Sequence, residues 1–359
     1  MRLLNHPDPV VQQVLDIWLP RFLAGGIEIG DIGLTVRAIG GWRDWGPCWM
    51  ETAALHEALG EEAQVEGRTA SATQAFMTAS RCYHLAYFLS VDDLALHRRG
   101  LDKMVECHDR VLPYDRPAAE KVHIPFEGGH LLGLFSRPVG IERPPVAIVL
   151  PGLDSTKETR HGARGSLLRR GMAVLSLDGP GQGEMSLTST IRPDYEVAVA
   201  AAIDWLAGRD DADATRVGVT GSSLGGYYAA RGAAFEPRVK ATVVNCGPYD
   251  WGECFDDLPV VTREAFRHYS GSSSMAQAKK RAKALTLRGA SIAGPLFVIQ
   301  GDSDPLIPTS HGERIAALGT GEVVYHLVRE GNHGVNNLRY RAIPMANDWL
   351  AARLGGLVA

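Results

Sequence analysis

The stretch Val217-Gly-Val-Thr-Gly-Ser-Ser-Leu-Gly-Gly226 runs from a β-rich segment straight into a helical one, Tyr227-Tyr-Ala-Ala-Arg231. Across that change it reads Gly221-x-Ser223-x-Gly225, a serine on the turn between a strand and a helix. So tight a turn leaves no room for side chains beside the serine. Gly221 and Gly225 remove the Cβ atoms that would collide, and Gly226 adds slack. Ser223 Oγ then projects from the top of a sheet. The first N–H groups of the helix stand behind it, where an oxyanion would be stabilised.

On either side of this turn, short apolar segments alternate with helical ones. Val146 to Leu150, Ala173 to Leu177, Ala241 to Asn245, Leu296 to Gln300 and Glu322 to Val328 read as strands. Helices fall near 158–170, 194–207, 224–234, 310–318 and 342–354. Alternation with apolar strands implies an α/β fold, a parallel sheet covered on both faces. Before it, Lys121 to Pro125 and His130 to Phe135 flank Glu127-Gly128-Gly129, a hairpin. The polar, mostly helical stretch 249–289 interrupts the alternation and holds Trp251, Phe255, Phe266 and Tyr269. Inserted at the strand ends, it would form part of a lid.

In such sheets chemistry sits past the carboxyl ends of strands, so the partners of Ser223 are sought there. Gly301-Asp302-Ser303-Asp304 follows one strand, and either aspartate can serve. Glu330-Gly-Asn-His333-Gly334 follows the last, with the histidine on a glycine-flanked loop. Serine, acid and histidine in this order give a nucleophile, an orienting carboxylate and a general base. The oxyanion donors are expected to be the backbone N–H groups of Leu224 and of Leu153, the latter just past an early parallel strand.

The first hundred or so residues read as all-helical. Apolar residues recur at helical spacing from Val10 to Leu19, in 42–63, in 70–89 and in 94–111. Pro20 need not break the first helix, Gly25-Gly26 should end it, and Asp92-Asp93 should cap the last. The aromatic stripe here reads as core, and His56, His84, His97 and His108 lack metal-ligand spacing. Pro113 and Pro117 bracket a linker, which divides the chain into a helical region, 1–117, and a catalytic domain, 118–359. The helices are expected to pack over the strand ends and shield the reaction from water.

The chain has 359 residues, 45% hydrophobic and 22% charged, with a net charge of −4. So mild a charge implies neither a nucleic-acid nor a membrane partner. Five scattered cysteines give no zinc site and no disulfide framework, and neither a metal nor a cofactor is called for. No signal core or spanning segment appears, so a cytoplasmic location is expected.

The motifs Pro151-Gly-Leu-Asp-Ser-Thr-Lys-Glu158, Asp178-Gly-Pro-Gly-Gln-Gly-Glu184 and Gly221-Ser-Ser-Leu-Gly225 together resemble one branch of the α/β-hydrolases. That branch holds 2,6-dihydroxypseudooxynicotine hydrolase, the fungal polyketide-shortening hydrolases and the FrsA-like esterases. The resemblance covers most of the chain and implies an α/β-hydrolase fold with an N-terminal helical region. It places the acid three residues after the glycine, at Asp304, and leaves Asp302 as a turn residue. It also implies an acidic lid residue near the substrate, which falls on Glu253 beside Trp251, and a homodimer. The favoured reaction is cleavage of a carbon–carbon bond beside a ketone in a small molecule. Ester or amide hydrolysis by the same triad is the alternative within enzymes. A non-catalytic binding module on this fold is the alternative outside them, and the intact set Ser223, Asp304 and His333 argues against it.

Overall fold

The computed structural model describes residues 4–357. They form two compact units. One comprises Met1–Ala118 with Pro259–Ala265, the other Ala119–Leu258 with Phe266–Ala359.

The helical unit runs through α1 (Pro9–Ala24), α2 (Ile29–Ala38), α3 (Trp45–Val65), α4 (Thr69–Tyr87) and α5 (Leu94–Val111). Asp8 caps α1 by accepting the N–H groups of Val10 and Val11. Pro20 sits inside that helix, which ends at Gly25. Asp93 caps α5 through the Leu96 N–H. These are the cap and stop signals legible in the sequence. The aromatic stripe is interior. Trp45, Trp49 and Phe88 are fully buried, Phe22 meets both Trp45 and Phe88, and Trp45 Nε1 donates to Leu85 O at 2.8 Å. Leu55 and Leu59, which share the periodicity of α3, are instead 68% and 54% exposed.

The second unit is built on one eight-stranded sheet in the order β1-β2-β4-β3-β5-β6-β7-β8. β1 (Ala119–Phe126) and β2 (Gly129–Ser136) form the expected hairpin, turning at Glu127-Gly128, both at positive φ. β2 pairs antiparallel with β4 (Ala173–Asp178). β3 (Pro145–Leu150), β4, β5 (Asp213–Ser222), β6 (Val239–Asn245), β7 (Leu296–Gly301) and β8 (Val323–Val328) are parallel. Every residue of β3, β4 and β7 is buried, as continuous apolar strands between two helical layers require. The edge strand β1 alternates instead. The covering helices are α6 (His161–Leu168), α7 (Glu196–Ala207), α8 (Leu224–Phe235), α12 (Thr309–Ala316) and α13 (Ile343–Leu354).

Between β6 and β7 the chain leaves the sheet through α9 (Trp251–Cys254), α10 (Val260–Tyr269) and α11 (Met275–Ala282). This is the helical insertion read from the sequence. Among the described residues no helix is long and apolar enough to cross a membrane.

Candidate active site

Ser223 is the single residue between β5 and α8, at φ 58° and ψ −131°. A non-glycine residue there costs roughly 1–3 kcal/mol and persists only where its surroundings enforce it. They do. Ser223 N–H donates to Asn245 O at 2.9 Å, and Ser223 O accepts from Gly226 N–H at 2.7 Å. A Cβ on Gly221 would lie 1.9 Å from Gly225 O, and one on Gly225 would lie 2.3 Å from Leu150 O. Both glycines are sterically required, as the motif implies. Gly226 is required too, but not for slack: a Cβ there would meet Gly247 Cα at 2.8 Å, so it lets α8 close against the chain past β6.

The two aspartates make different contacts. Asp304, its side chain 1% exposed, accepts from His333 Nδ1 at 2.8 Å through Oδ2. Its Oδ1 accepts the N–H groups of Leu306 and Ile307 at 2.8 and 3.0 Å. Nδ1 facing a carboxylate carries the proton, which leaves Nε2 free as a base. Asp302 instead accepts Glu330 N–H at 2.6 Å and the Ser303 hydroxyl at 3.0 Å, tying down the turn that leads to the histidine.

Asn245, at the end of β6, joins serine and histidine loops. Its carbonyl takes the Ser223 N–H, and its Nδ2 donates to Gly334 O at 3.0 Å. A Cβ on Gly334 would reach Ser222 Oγ at 3.2 Å. The loop after β3 lies against the same turn. A Cβ on Gly152 would sit 3.4 Å from Ser223 Cβ and 3.8 Å from Leu224 N. Leu153 and Leu224 are buried beside it. Among the described residues neither N–H has a protein acceptor.

Glu253 and Trp251, which the resemblance sets near the substrate, both lie in the lid. Glu253 is gripped by two guanidiniums, Arg288 at 2.7 Å and Arg314 at 2.5 Å. The hydrogen bonds from Arg314, and then those from Arg288, hold its carboxyl below the usual range. That setting suits a lid strut rather than a proton donor. Trp251 is 2% exposed and packs on Phe266 inside the lid, with ring centroids 5.9 Å apart.

Two further groups escape a reading of the sequence. His311 on α12 is buried at the root of the lid. Its Nδ1 accepts Tyr249 N–H at 3.1 Å, and its Nε2 lies 3.4 Å from Cys254 Sγ. Burial lowers its pKa, which keeps it neutral and able to accept. Lys157 Nζ, wholly buried, lies 3.1 Å from Asp178, 2.7 Å from Glu158 and 2.6 Å from Glu184. Burial works to lower its pKa, but the three carboxylates outweigh it and hold the ammonium well above its ordinary range. Burial pushes Asp178 up to about 7, against the pull of Lys157. Lys157, Glu158, Asp178 and Glu184 all lie within two of the motifs that carry the resemblance, which is the one signal that marked them.

Comparison with known proteins places the chain among the α/β-hydrolases. The family model for FrsA-like esterases matches residues 35–251, and that for the prolyl oligopeptidase family matches 161–356. A 2,6-dihydropseudooxynicotine hydrolase of Paenarthrobacter nicotinovorans is 31% identical over 310 residues, covering 85% of this chain and 83% of that protein. Hydrolase LUC6 of a Fusarium species is 34% identical over 249 residues, 63% of this chain and 57% of that protein. The crystal structure of the 2,6-dihydroxy-pseudo-oxynicotine hydrolase superposes with a TM-score of 0.85 at 29% identity, covering 94% of this chain and 95% of that one. AbyA5, at 20% identity and a TM-score of 0.74, shares the fold.

Proposed function

This chain belongs to the FrsA-like esterase family of α/β-hydrolases, and from that premise we propose that it hydrolyses the carbon–carbon bond beside a ketone in a small organic molecule. The observation that carries the proposal is the His333 Nδ1 contact to Asp304 at 2.8 Å, on a loop bonded through Asn245 to the Ser223 turn. In this reading Ser223 Oγ attacks the carbonyl while His333 Nε2 takes its proton, or His333 drives water onto the carbonyl directly. The oxyanion is met by the N–H groups of Leu153 and Leu224. Collapse breaks the carbon–carbon bond, and the electron pair leaves with a fragment that has a sink for it, such as an enol, a phenol or a hydroxypyridine. His333 returns the proton to that carbon. With Ser223 as nucleophile, water activated by His333 then releases the acid from the acyl-enzyme.

Hydrolysis of esters or amides is the second reading, and the FrsA-like esterase match favours it. Turnover of aryl ketones and β-diketones, set against simple p-nitrophenyl esters, separates the two. With Ser223 as nucleophile, for either bond, Ser223→Ala abolishes turnover and leaves the fold intact. Activity within about tenfold of the parent would remove the nucleophile assignment, because loss of a triad member costs several orders of magnitude.

Three expectations travel with the proposal. The free thiols of all five cysteines suit a reducing cytoplasm. The homodimer is checked by sedimentation. The role of cap for residues 1–117 is checked with a chain beginning at Ala118, which should lose turnover on the natural substrate.

A further inference from the structure

The peptide plane that carries the Leu153 N–H is held from behind by one buried side chain. Gln182, on the loop after β4, is 1% exposed. Its Nε2 donates to Pro151 O at 2.6 Å and to Gly152 O at 3.2 Å. Its Oε1 accepts the Gly179 N–H at 3.0 Å and the Tyr195 hydroxyl at 2.6 Å. With donors on one side and carbonyls on the other, the amide has a single workable orientation. The loop is shaped around this contact: a Cβ on Gly179 would lie 2.2 Å from the Tyr195 oxygen, and Gly181 is at φ 76°.

Gly152 O and Leu153 N–H belong to the same peptide group. In a planar trans peptide the C=O and the N–H point in opposite directions. Turning Gly152 O toward Gln182 therefore turns the Leu153 N–H away from it, on a loop that lies against Ser223. The other end of the contact reaches the second donor. The Tyr195 ring, fully buried, stacks on Tyr228 with centroids 3.8 Å apart and planes 10° apart. Tyr228 stands one turn along α8 from Leu224, whose N–H opens that helix.

We propose that Gln182, braced by Tyr195 on Tyr228, is the positioning residue of the oxyanion hole, aiming the Leu153 N–H and keeping it in register with that of Leu224. The inference rests on Ser223 as nucleophile and on these two N–H groups as the donors. Gln182 itself touches no reacting atom. It acts on the transition state, where charge develops on the oxygen, and little on the bound ground state.

Two variants test it. Gln182→Glu keeps the side chain's shape and sets an oxygen where the amide NH2 faces two carbonyls. Tyr195→Phe keeps the ring stack and removes one donor to Oε1. Each is assayed with whichever of an aryl β-diketone and p-nitrophenyl butyrate the parent turns over faster, by thermal unfolding, and by fluorine NMR of the tetrahedral adduct with phenyl trifluoromethyl ketone. The expected kcat loss is roughly 10–100-fold for Gln182→Glu and about 3–10-fold for Tyr195→Phe, with KM within about threefold. The dissociation constant of the trifluoromethyl ketone should rise by the same factor as kcat/KM falls, because both read the oxyanion. A loss of kcat/KM without that parallel rise, or kcat within about twofold of the parent in both variants, overturns the proposal. Should Gln182→Glu fail to fold, Tyr195→Phe carries the same requirement alone. Ser223→Ala, measured alongside, separates two failures. Retained turnover removes the nucleophile and this inference with it. An inert Ser223→Ala beside fully active Gln182→Glu and Tyr195→Phe removes this inference only.

Discussion

Asp304 and Lys157 anchor two polar clusters beyond the strands of one sheet, and the two are balanced in opposite ways. Asp304 receives hydrogen bonds from Leu306, Ile307 and His333. Its neighbours Ser223 and His333 stay partly open to solvent. The Lys157 cluster is set deeper. Its ammonium and the Asp178 carboxyl are wholly buried, and three carboxylates lie within 3.1 Å of the ammonium. The carboxylate of the candidate site is hydrogen-bonded and set beside groups left partly open to solvent. In the buried cluster, acids crowd together and burial raises one carboxyl to about 7.

The largest effect that separates the two clusters is catalytic. Asp304→Asn should lower kcat by roughly 10³–10⁴-fold with little change in stability, because a neutral partner misorients His333. Asp302→Asn, which removes only turn contacts, should stay within about tenfold. The reverse ranking in steady-state kinetics would transfer the acid's role to Asp302.

Lys157→Met should do the opposite, costing roughly 3–5 kcal/mol of stability by stranding buried carboxylates without their cation. Urea unfolding reads this directly. A variant as stable as the parent would make the cluster a passenger in the fold.

A subtler contrast lies in pH. Asp178 has a raised folded pKa, so between about 4 and about 7 the native state binds a proton that the unfolded chain has released. Its contribution to stability is present below the unfolded value and is lost as pH rises through about 7. Asp178→Asn cannot titrate, so the stability gap between parent and variant should shift against the parent across that window. A gap independent of pH would show that Asp178 is ionised throughout. The smallest effect expected is that of Glu253→Gln. Glu253 is a partly exposed strut between two arginines, so kcat should fall by no more than a few-fold. A loss of a hundredfold in kcat would return Glu253 to the reaction.

The candidate triad was legible because each member follows a strand and two of the three are flanked by glycines. The residues by themselves left a choice between Asp302 and Asp304, two apart on one turn, and the resemblance pointed to Asp304. Only the direction of each carboxylate decides that, and direction is a property of the folded loop. The lid was visible as a break in the strand–helix alternation, yet Glu253 was not placed by it, since its arginines lie 35 and 61 residues away in sequence. The Lys157 cluster was hidden for a similar reason. Charged residues in a loop read as solvated until the fold brings three acids around one base. Helix α2, Ile-Gly-Asp-Ile-Gly-Leu-Thr-Val-Arg-Ala, carries two glycines and no side-chain cap, so it gave little periodic signal.

Asn245 couples the two loops of the site. Its backbone holds the serine turn and its side-chain amide holds the histidine loop. A fluctuation that lifts the loop must either break that amide bond or drag the end of β6 along, and the serine turn travels with that end. Ser223 and His333 are thus tethered to one residue, so a displacement of either loop is felt at the other through Asn245.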